Sequence, residues 1–467
     1  MTYTVRPEIT GSCSNFCKAR LEILRFTLPP DPVLISVVPG KGIIVLNSLE
    51  QSSPVAPSSV TWPTEGVRRV PFAVYSDPAI FAQEQHAIFR GPIWHFLGLE
   101  AQIPDPGCFV LAQVGETPVI LVRGRDGEVG ALVNRCSHKG TPLVFVPSGK
   151  VDQFMCVYHN WCYDLAGTML SAAFERGVRG KGGMASSFKK EEHGLQRLRV
   201  HTIRGLVFGT LNDETPPFED YIGAEHVANI NRVCGRPLRV LGQYSQKLPS
   251  NWKLYIENVK DPYHASILHA FNGVMKQDRL TMEGGITMGA RGWHHISYSK
   301  MHTDTGGEVY STGAMRNAEI AAYGFGLRDH SMTDIWDDHG DGITMTIQTV
   351  FPNFVLQQLR NCLAVRTIVP KGTHESELMW VAFGYEDDDE RRLNGRLKQA
   401  NMMGPAGLIA MEDGMIGGLV QKGIAGDLDK AAVLEMGGHG IEPIPGSRVS
   451  EGSVRGFWTG YRALMGL

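Results

Sequence analysis

The spacing of hydrophobic and polar positions changes once along the chain. From about residue 92 to 215, short β-type runs are separated by glycine turns. "PVILVR", "GRDGE" and "VGALVNRC" read as a hairpin around Asp126-Gly127. A small all-β domain is expected over 92–215. Beyond about 216 the pattern mixes helix and strand. "NWKLYIENVKDPYHASILHAF" has helical spacing, while "GITMTIQTV" and "NFVLQQLRNCLAVRTIV" alternate like strands of a half-buried sheet. "EDDDERRLNGRLKQANMM" reads as a helix, its acids leading and its bases following as the helix dipole prefers. An α+β domain on a mostly antiparallel sheet is expected over 216–467. Residues 1–62 show no clear period and end in "QSSPVAPSSVTWP", a Ser/Pro-rich run that reads as the linker of a disordered extension. A second reading takes Met1 as an upstream start, with the working protein beginning near "WPTEGVRRVPF". Residues 63–91 are expected to pack on the second domain.

Composition narrows the class. The chain has 467 residues, 43% hydrophobic and 20% charged, enough for two or three domains with real cores. Its 54 glycines favour a turn-rich, strand-rich protein over a helical bundle. A net charge of −3 makes no electrostatic case for nucleic acid or an anionic membrane. The apolar run "PVLISVVPGKGIIVLNSL" is broken by Pro39, Gly40, Lys41 and Gly42, and it has the layout of neither a membrane span nor a signal peptide. Eight cysteines without dense regular spacing point to a reducing cytoplasm. "CSNFC" (Cys13, Cys17) has no partner pair nearby, so packing is preferred over half a metal site. No internal repeat and no G-x-G-x-x-G nucleotide fingerprint on a strand-to-helix unit is evident.

Within the all-β part, "CSHKG" holds Cys136 and His138, and after a spacer of 17 residues "CVYHNWCYDLAG" holds Cys156 and His159. A structural zinc site also takes two Cys and two His, but zinc fingers usually pair like ligands. Here each pair mixes a thiolate with an imidazole. A Rieske [2Fe–2S] centre requires that mixture, because two cysteines hold one iron and two histidines the other.

A second constellation is "DPYHASILH". His264 and His269 are five apart, which on an ideal α-helix sets their side chains about 140° apart. They could converge on one metal only if the helix is distorted or ends between them, and Asp261-Pro262 supplies an irregularity. Taken singly, Asp261 could be an N-cap and each histidine a satisfied core residue. Beside a Rieske signature, a ferrous site of two histidines and one carboxylate becomes the better reading. "GPAGLIAMEDGMIGGLVQ" offers Glu412 and Asp413. Helical phase sets Asp413 with Ile409, Ile416 and Val420, and Glu412 with Leu408, Ile416 and Leu419, so both are expected to face inward. Spacing alone does not choose between them.

These motifs resemble the large (α) subunits of Rieske non-haem iron aromatic-ring-hydroxylating dioxygenases, from about Trp62 to the C-terminus. "GETPVILVR", "FERGVRGKGGM", "QKLPSNWKLYIENVKDPYHAS" and "GPAGLIAMEDG" place the chain in the branch that includes terephthalate dioxygenase, near anthranilate and ortho-halobenzoate dioxygenases and salicylate 5-hydroxylase. Cys162 and Cys108 depart from the family pattern and are read as packing residues. The resemblance implies an all-β Rieske [2Fe–2S] domain plus an α+β catalytic domain. It gives Cys136, His138, Cys156 and His159 to the cluster, and His264, His269 and Asp413 to one mononuclear Fe(II). Asp261 is then the catalytic bridge from an iron histidine to a Rieske histidine of a neighbouring subunit.

The same resemblance implies a homotrimer (α3, or α3β3 with a small β subunit), a reductase supplying electrons from NAD(P)H, and an aromatic carboxylate and O2 as substrates. Arg366, in "NCLAVRTIV", and Arg448, in "GSRVSEGSVRGFW", match arginines that grip substrate carboxylates, as a guanidinium fork does well. A structural ion pair is the plain alternative for each, and for Arg455. The rival readings are an electron-transfer Rieske protein without its own catalysis, a zinc-stabilised interaction protein, and a monooxygenase.

Overall fold

The computed structural model describes residues 34–37, 43–46, 60–269, 271, 272, 275, 277–303, 327 and 329–467. The chain divides into two compact units, Met1–Val55 and Ala56–Leu467. In the first, the aliphatic runs Leu34–Val37 and Ile43–Leu46 pair antiparallel, Leu34 opposite Leu46. An extension without period does not foresee that pair. The rest of the expectation for 1–59, Cys13 and Cys17 included, lies outside the described residues. Trp62, assigned above to the linker, instead donates from Nε1 to Gly66 O at 2.8 Å and packs its ring 5.5 Å from that of Trp458.

The second unit is built on a seven-stranded sheet: β1 (Leu238–Leu248), β2 (Gly284–Met288), β3 (His295–Ser299), β4 (Met345–Val350), β5 (Phe354–Leu359), β6 (Cys362–Pro370) and β7 (Ser376–Tyr385). Its order is β1-β7-β6-β5-β4-β3-β2 and every neighbouring pair is antiparallel. The alternation read from β5 and β6 suggested one wet face. The structure corrects this: every residue of β6 is buried, and five of the six in β5. Helices Trp252–Lys260 and Glu390–Met403 pack on β6, so its polar residues sit in the interior.

Helices Pro78–Ala87, Trp252–Lys260 and Gly452–Met465 meet beside this sheet. Helix α1 (Pro78–Ala87) is capped by Asp77, whose side chain accepts from the backbone of Ala79 and Ile80. Its Glu84 is fully buried and accepts from Trp252 Nε1 (2.8 Å), Lys253 Nζ (2.5 Å) and Tyr461 Oη (2.6 Å). A buried carboxylate so fully paired fixes α1 against helix α2 (Trp252–Lys260), because losing one partner would strand a charge in the interior.

The all-β part has its own core of Phe109, Ile120, Leu132, Trp161 and Tyr163, among others. Strands Thr117–Arg123 and Val129–Val133 form the hairpin read at Asp126-Gly127. Gly127 takes φ +86°, and Asp126 Oδ1 accepts from Glu128 N at 3.0 Å. Among the described residues no helix is long and apolar enough to cross a membrane.

Candidate metal centres and substrate cavity

Two tight loops project from the all-β part. In one, Cys136 N donates to Thr141 O (2.8 Å), and Gly140 takes φ +79°. In the other, Asn160 N donates to Cys156 O (2.9 Å), and Asn160 takes φ +52°. The loops bring all four predicted side chains together. The imidazoles of His138 and His159 lie 4.6 Å apart between ring centres, toward the surface, while the free thiols of Cys136 and Cys156 are buried side by side. Burial pushes the Cys136 thiol up, opposed by Tyr163 Oη, 3.2 Å from its sulfur. The His138 ring lies flat on Trp161 at 4.7 Å. His159 Nδ1 is buried without a partner. Two thiols at one end and two imidazoles at the other, one nitrogen unsatisfied, suit a cluster with one iron per pair.

The second group is set by a helix that breaks. Helix α2 stops at Asp261, and a four-residue helix α3 (Ala265–Leu268) follows Pro262. His264 sits at its N-cap in helical conformation. His269, at its C-cap, is extended (φ −81°, ψ 97°), which turns the second ring back toward the first. Their ring centres are 5.3 Å apart. Helix α4 (Leu408–Gly423) supplies the carboxylate. Asp413 Oδ1 lies 3.5 Å from His264 Nε2 and 3.3 Å from His269 Nε2, and each residue offers a ligand atom within 4.8 Å of the others.

Electrostatics follow that convergence. Burial opposes charge on His269, but Asp413 and Glu412 outweigh it and push its pKa up to about 9. Burial likewise opposes the Asp413 carboxylate, yet the two imidazoles hold it well below the usual range. Asp413 Oδ1 itself makes no hydrogen bond. A buried, unsatisfied carboxylate oxygen facing two imidazole nitrogens offers the donors that a ferrous site of two histidines and one carboxylate uses.

Helix α4 reaches this position through small residues. Gly414 and Gly418 face the chain around Leu248 and Pro249, and a Cβ on Gly418 would stand 2.9 Å from Pro249 Cγ. The aliphatic stripes read as inward therefore need correction. Ile409 is buried, but Leu408, Leu419 and Val420 are exposed, because the helix buries its glycine face. Glu412 is only partly covered. Its Oε2 turns to His269 Nδ1 at 2.9 Å, away from the Nε2 that meets Asp413.

A cavity lined by these three side chains opens between them and the sheet. Its floor presents Ser297, Ile347 and Gln357, which are neighbours across β3, β4 and β5, and Arg366 beside Trp380 on β6 and β7. Arg366 Nη1 donates to Tyr255 Oη at 2.9 Å, its guanidinium lies 4.9 Å from the Trp380 ring centre, and Nε is buried without a partner. No acidic group pairs with it among the described residues. Arg448 does not fit its expected role. Its Nη1 donates to both oxygens of Asp278 (2.7 and 2.9 Å) and its Nη2 to Arg279 O, so the fork is engaged in a buried ion pair. Arg455 holds the backbone oxygens of Leu434, Met436 and Gly440.

Two family models match the chain: "Rieske [2Fe-2S] domain" over residues 93–179, and "Ring hydroxylating alpha subunit (catalytic domain)" over residues 236–467. The alpha 2 subunit of the terminal oxygenase component of terephthalate 1,2-dioxygenase from Comamonas sp is 46% identical, over 88% of this chain and 98% of its own length. The chain belongs to the ring-hydroxylating dioxygenase alpha subunits.

Among its other relatives are the anthranilate 1,2-dioxygenase large subunit of Burkholderia cepacia and the large oxygenase component of salicylate 5-hydroxylase from Ralstonia sp. The first is 41% identical over 88% of this chain and 96% of its own length; the second is 35% identical over 89% and 99%. The fold is that of naphthalene 1,2-dioxygenase from Rhodococcus sp., with a TM-score of 0.70 at 21% identity over 85% of this chain and 94% of that one. The oxygenase carries a Rieske [2Fe–2S] cluster and a mononuclear iron, and its electrons come from NAD(P)H through a reductase.

Asp261 lies at the edge of the oxygenase's iron-type group. Its Oδ1 accepts from Tyr263 N at 3.0 Å, and its Oδ2 stands 3.8 Å from His264 Nδ1, too far for a hydrogen bond. Burial pushes its carboxyl up to about 6. Asn258, whose Nδ2 is 3.5 Å from His264 Nε2, and Tyr255, which holds Arg366, were not singled out in the sequence. Their signal is the i, i+3 spacing of Tyr255, Asn258 and Asp261, polar residues on one face of an apolar helix. Asp278 carries no such signal.

Proposed function

We propose that this oxygenase is the large subunit of an aromatic carboxylate dioxygenase of terephthalate 1,2-dioxygenase type, adding both atoms of O2 to a ring. Its working parts are residues 63–91, which clasp the catalytic domain, a Rieske domain at 92–215 and a catalytic domain at 216–467. Cys136, Cys156, His138 and His159 hold the cluster. His264, His269 and Asp413 hold the iron, which when bound supplies O2 activation. Glu412 fixes the His269 tautomer through Nδ1, so that Nε2 is the ligand atom. Asp261 connects His264 to a Rieske histidine of a neighbouring subunit in a homotrimer, with or without a small β subunit, in the cytoplasm. In support, Leu408, Met411, Met415 and Leu419 form an exposed apolar face on α4 that a second copy would cover.

The observation that carries the substrate reading is Arg366, a cation that no acid pairs with among the described residues, in the cavity that His264, His269 and Asp413 also line. Burying such a guanidinium is stabilised by a carboxylate that accepts from it, which orients the ring beneath the iron ligands. A second reading, an anthranilate, ortho-halobenzoate or salicylate hydroxylase, is favoured by the engagement of Arg448, which leaves one free fork rather than two. Oxygen uptake with product identification across terephthalate, anthranilate, salicylate and 2-halobenzoates tests both. A cis-diol supports dioxygenation and a phenol monooxygenation. No uptake with any aromatic acid overturns the class.

A further inference from the structure

The cavity has two polar ends of opposite character. Arg366 is on β6, while Asp278 is bound to Ser299 of β3 (Oγ to Oδ1, 3.1 Å). Those strands are three places apart in the sheet, about 14 Å at the usual strand spacing, so the two groups face the cavity from different sides. At the first end a ligand meets a cation. At the second it meets a carboxylate: Asp278 lines the cavity, and Arg448, which is not among the lining residues, donates to both of its oxygens.

The Arg448–Asp278 pair is neutral as a unit and nearly fully buried, with side chains 1% and 7% exposed. A carboxylate offers about four acceptor positions. Three are filled here, two by Arg448 Nη1 and one by Ser299 Oγ, and Oδ2 carries only one of the three. Among the described residues, one acceptor position on Oδ2 is therefore left for a ligand.

We infer that Asp278 selects aromatic monocarboxylates bearing a hydrogen-bond donor, amino or hydroxyl, and excludes dicarboxylates. The inference rests on the aromatic-carboxylate reading above, and within it favours the second form, an amino- or hydroxybenzoate as substrate, over terephthalate. With the substrate carboxylate on Arg366, a second carboxylate at the other end would enter a buried site with no free cation among the described residues and the Asp278 carboxylate beside it. A ring N–H or O–H at the same place meets the open acceptor. A halogen or methyl leaves that acceptor unsatisfied, which costs affinity without repulsion.

The test is calorimetric binding and reductase-coupled turnover on the holoenzyme, with benzoate, the three hydroxybenzoates, the three aminobenzoates and terephthalate. At least one hydroxy- or aminobenzoate should bind about tenfold more tightly than benzoate, the value of one hydrogen bond to a charged acceptor, and terephthalate more weakly than benzoate. Asp278→Asn keeps the shape, removes the repelling charge and frees the Arg448 fork. It should shift the ratio of terephthalate to hydroxybenzoate affinity toward terephthalate by about a hundredfold. The wild-type series stands without the variant should that fail to fold. Wild-type enzyme that binds terephthalate as tightly as its best monocarboxylate overturns the inference, and so does an Asp278→Asn protein with an unchanged ratio. In either case aromatic acids still bind, so the class survives. If no aromatic acid binds at all, the class falls and the inference with it.

Discussion

Glu412 and Asp413, adjacent on one helix, meet opposite nitrogens of the same imidazole: Glu412 Oε2 is 2.9 Å from His269 Nδ1, and Asp413 Oδ1 is 3.3 Å from Nε2. Only Asp413 also reaches His264. Geometry thus separates two carboxylates that helical phase does not. Asp413→Ala should leave a protein that no longer retains iron through desalting, with its cluster intact. Glu412→Ala should keep the site but weaken iron binding by about 10 to 100-fold, the usual effect of losing a histidine's outer partner. Ferrous titration of the metal-free proteins checks this, and a larger loss at Glu412 than at Asp413 would reverse the assignment.

Asp261 lines two cavities, the one that His264, His269 and Asp413 share and another lined by Glu257, Leu268 and Glu451. Its oxygen is within 4 Å of His264 Nδ1 without bonding to it, so its role in holding the ring in this chain alone is small. Asp261→Ala should leave both metals bound and the cluster reducible by dithionite, while substrate-coupled turnover falls by at least about a hundredfold. Single-turnover kinetics with the prereduced enzyme read the transfer directly. Wild-type activity in the variant would sink the bridging role.

What was legible in the sequence depended on whether the chemistry needs particular residues close together in the chain. The mixed Cys/His pairs and the interrupted helix at Asp261-Pro262 are local patterns, and the structure brings their side chains together. The antiparallel sheet was legible from alternation, but the burial of β5 and β6 on both faces was not, because polar residues such as Gln357 and Arg366 face an internal cavity and mimic a wet face. Helix α4 misled for a related reason. Its tight packing uses glycine, which hydrophobic phase does not weigh, so its aliphatic residues point outward. The Arg448–Asp278 pair joins residues 170 positions apart, and no period or motif announces it.

Glu257 is expected to give the fold a pH dependence of its own. Burial pushes its carboxyl up to about 7, against hydrogen bonds from Tyr75 Oη and Trp458 Nε1; Glu451 adds to the rise and Lys253 opposes it. A folded pKa above the unfolded one means that the native state binds the extra proton. The contribution is complete below about 4.5 and is lost as pH rises through about 7. Glu257→Gln should therefore flatten this decline and leave the protein more stable than wild type above pH 7, by less than about 3 kcal/mol. Urea denaturation from pH 5 to 8 measures it. An identical slope in both proteins would show that Glu257 does not titrate in this window.

Arg366 is held in place by Tyr255 Oη and by the Trp380 face, so its position does not depend on a substrate. Arg366→Gln should raise KM for an aromatic acid and lower kcat/KM by about 30 to 100-fold, the worth of a charge-assisted contact. Arg366→Lys should recover little, because an ammonium cannot make the two parallel bonds. Tyr255→Phe should have a smaller effect in the same direction. A fall in kcat at unchanged KM would instead place Arg366 in the chemical step.

The approach of α4 to Pro249 sets where Asp413 stands. A methyl at Gly418 would meet a proline ring atom at 2.9 Å, and a ring cannot swing aside as the end of a long side chain can. Gly418→Ala must therefore shift the helix, at about 1 to 3 kcal/mol of overpacking. Asp413 lies five residues earlier on the same rigid element and moves with it, so iron affinity should fall even though residue 418 touches neither histidine. Gly423, at the end of the same helix, has nothing within 4 Å of its added Cβ. Gly423→Ala should thus be neutral or stabilising by up to about 1 kcal/mol, since alanine loses less chain entropy on folding. Thermal denaturation and ferrous titration of the two variants separate the effects. Equal iron affinity in Gly418→Ala and wild type would show that α4 can slide on Pro249 without carrying Asp413 out of reach of His264 and His269.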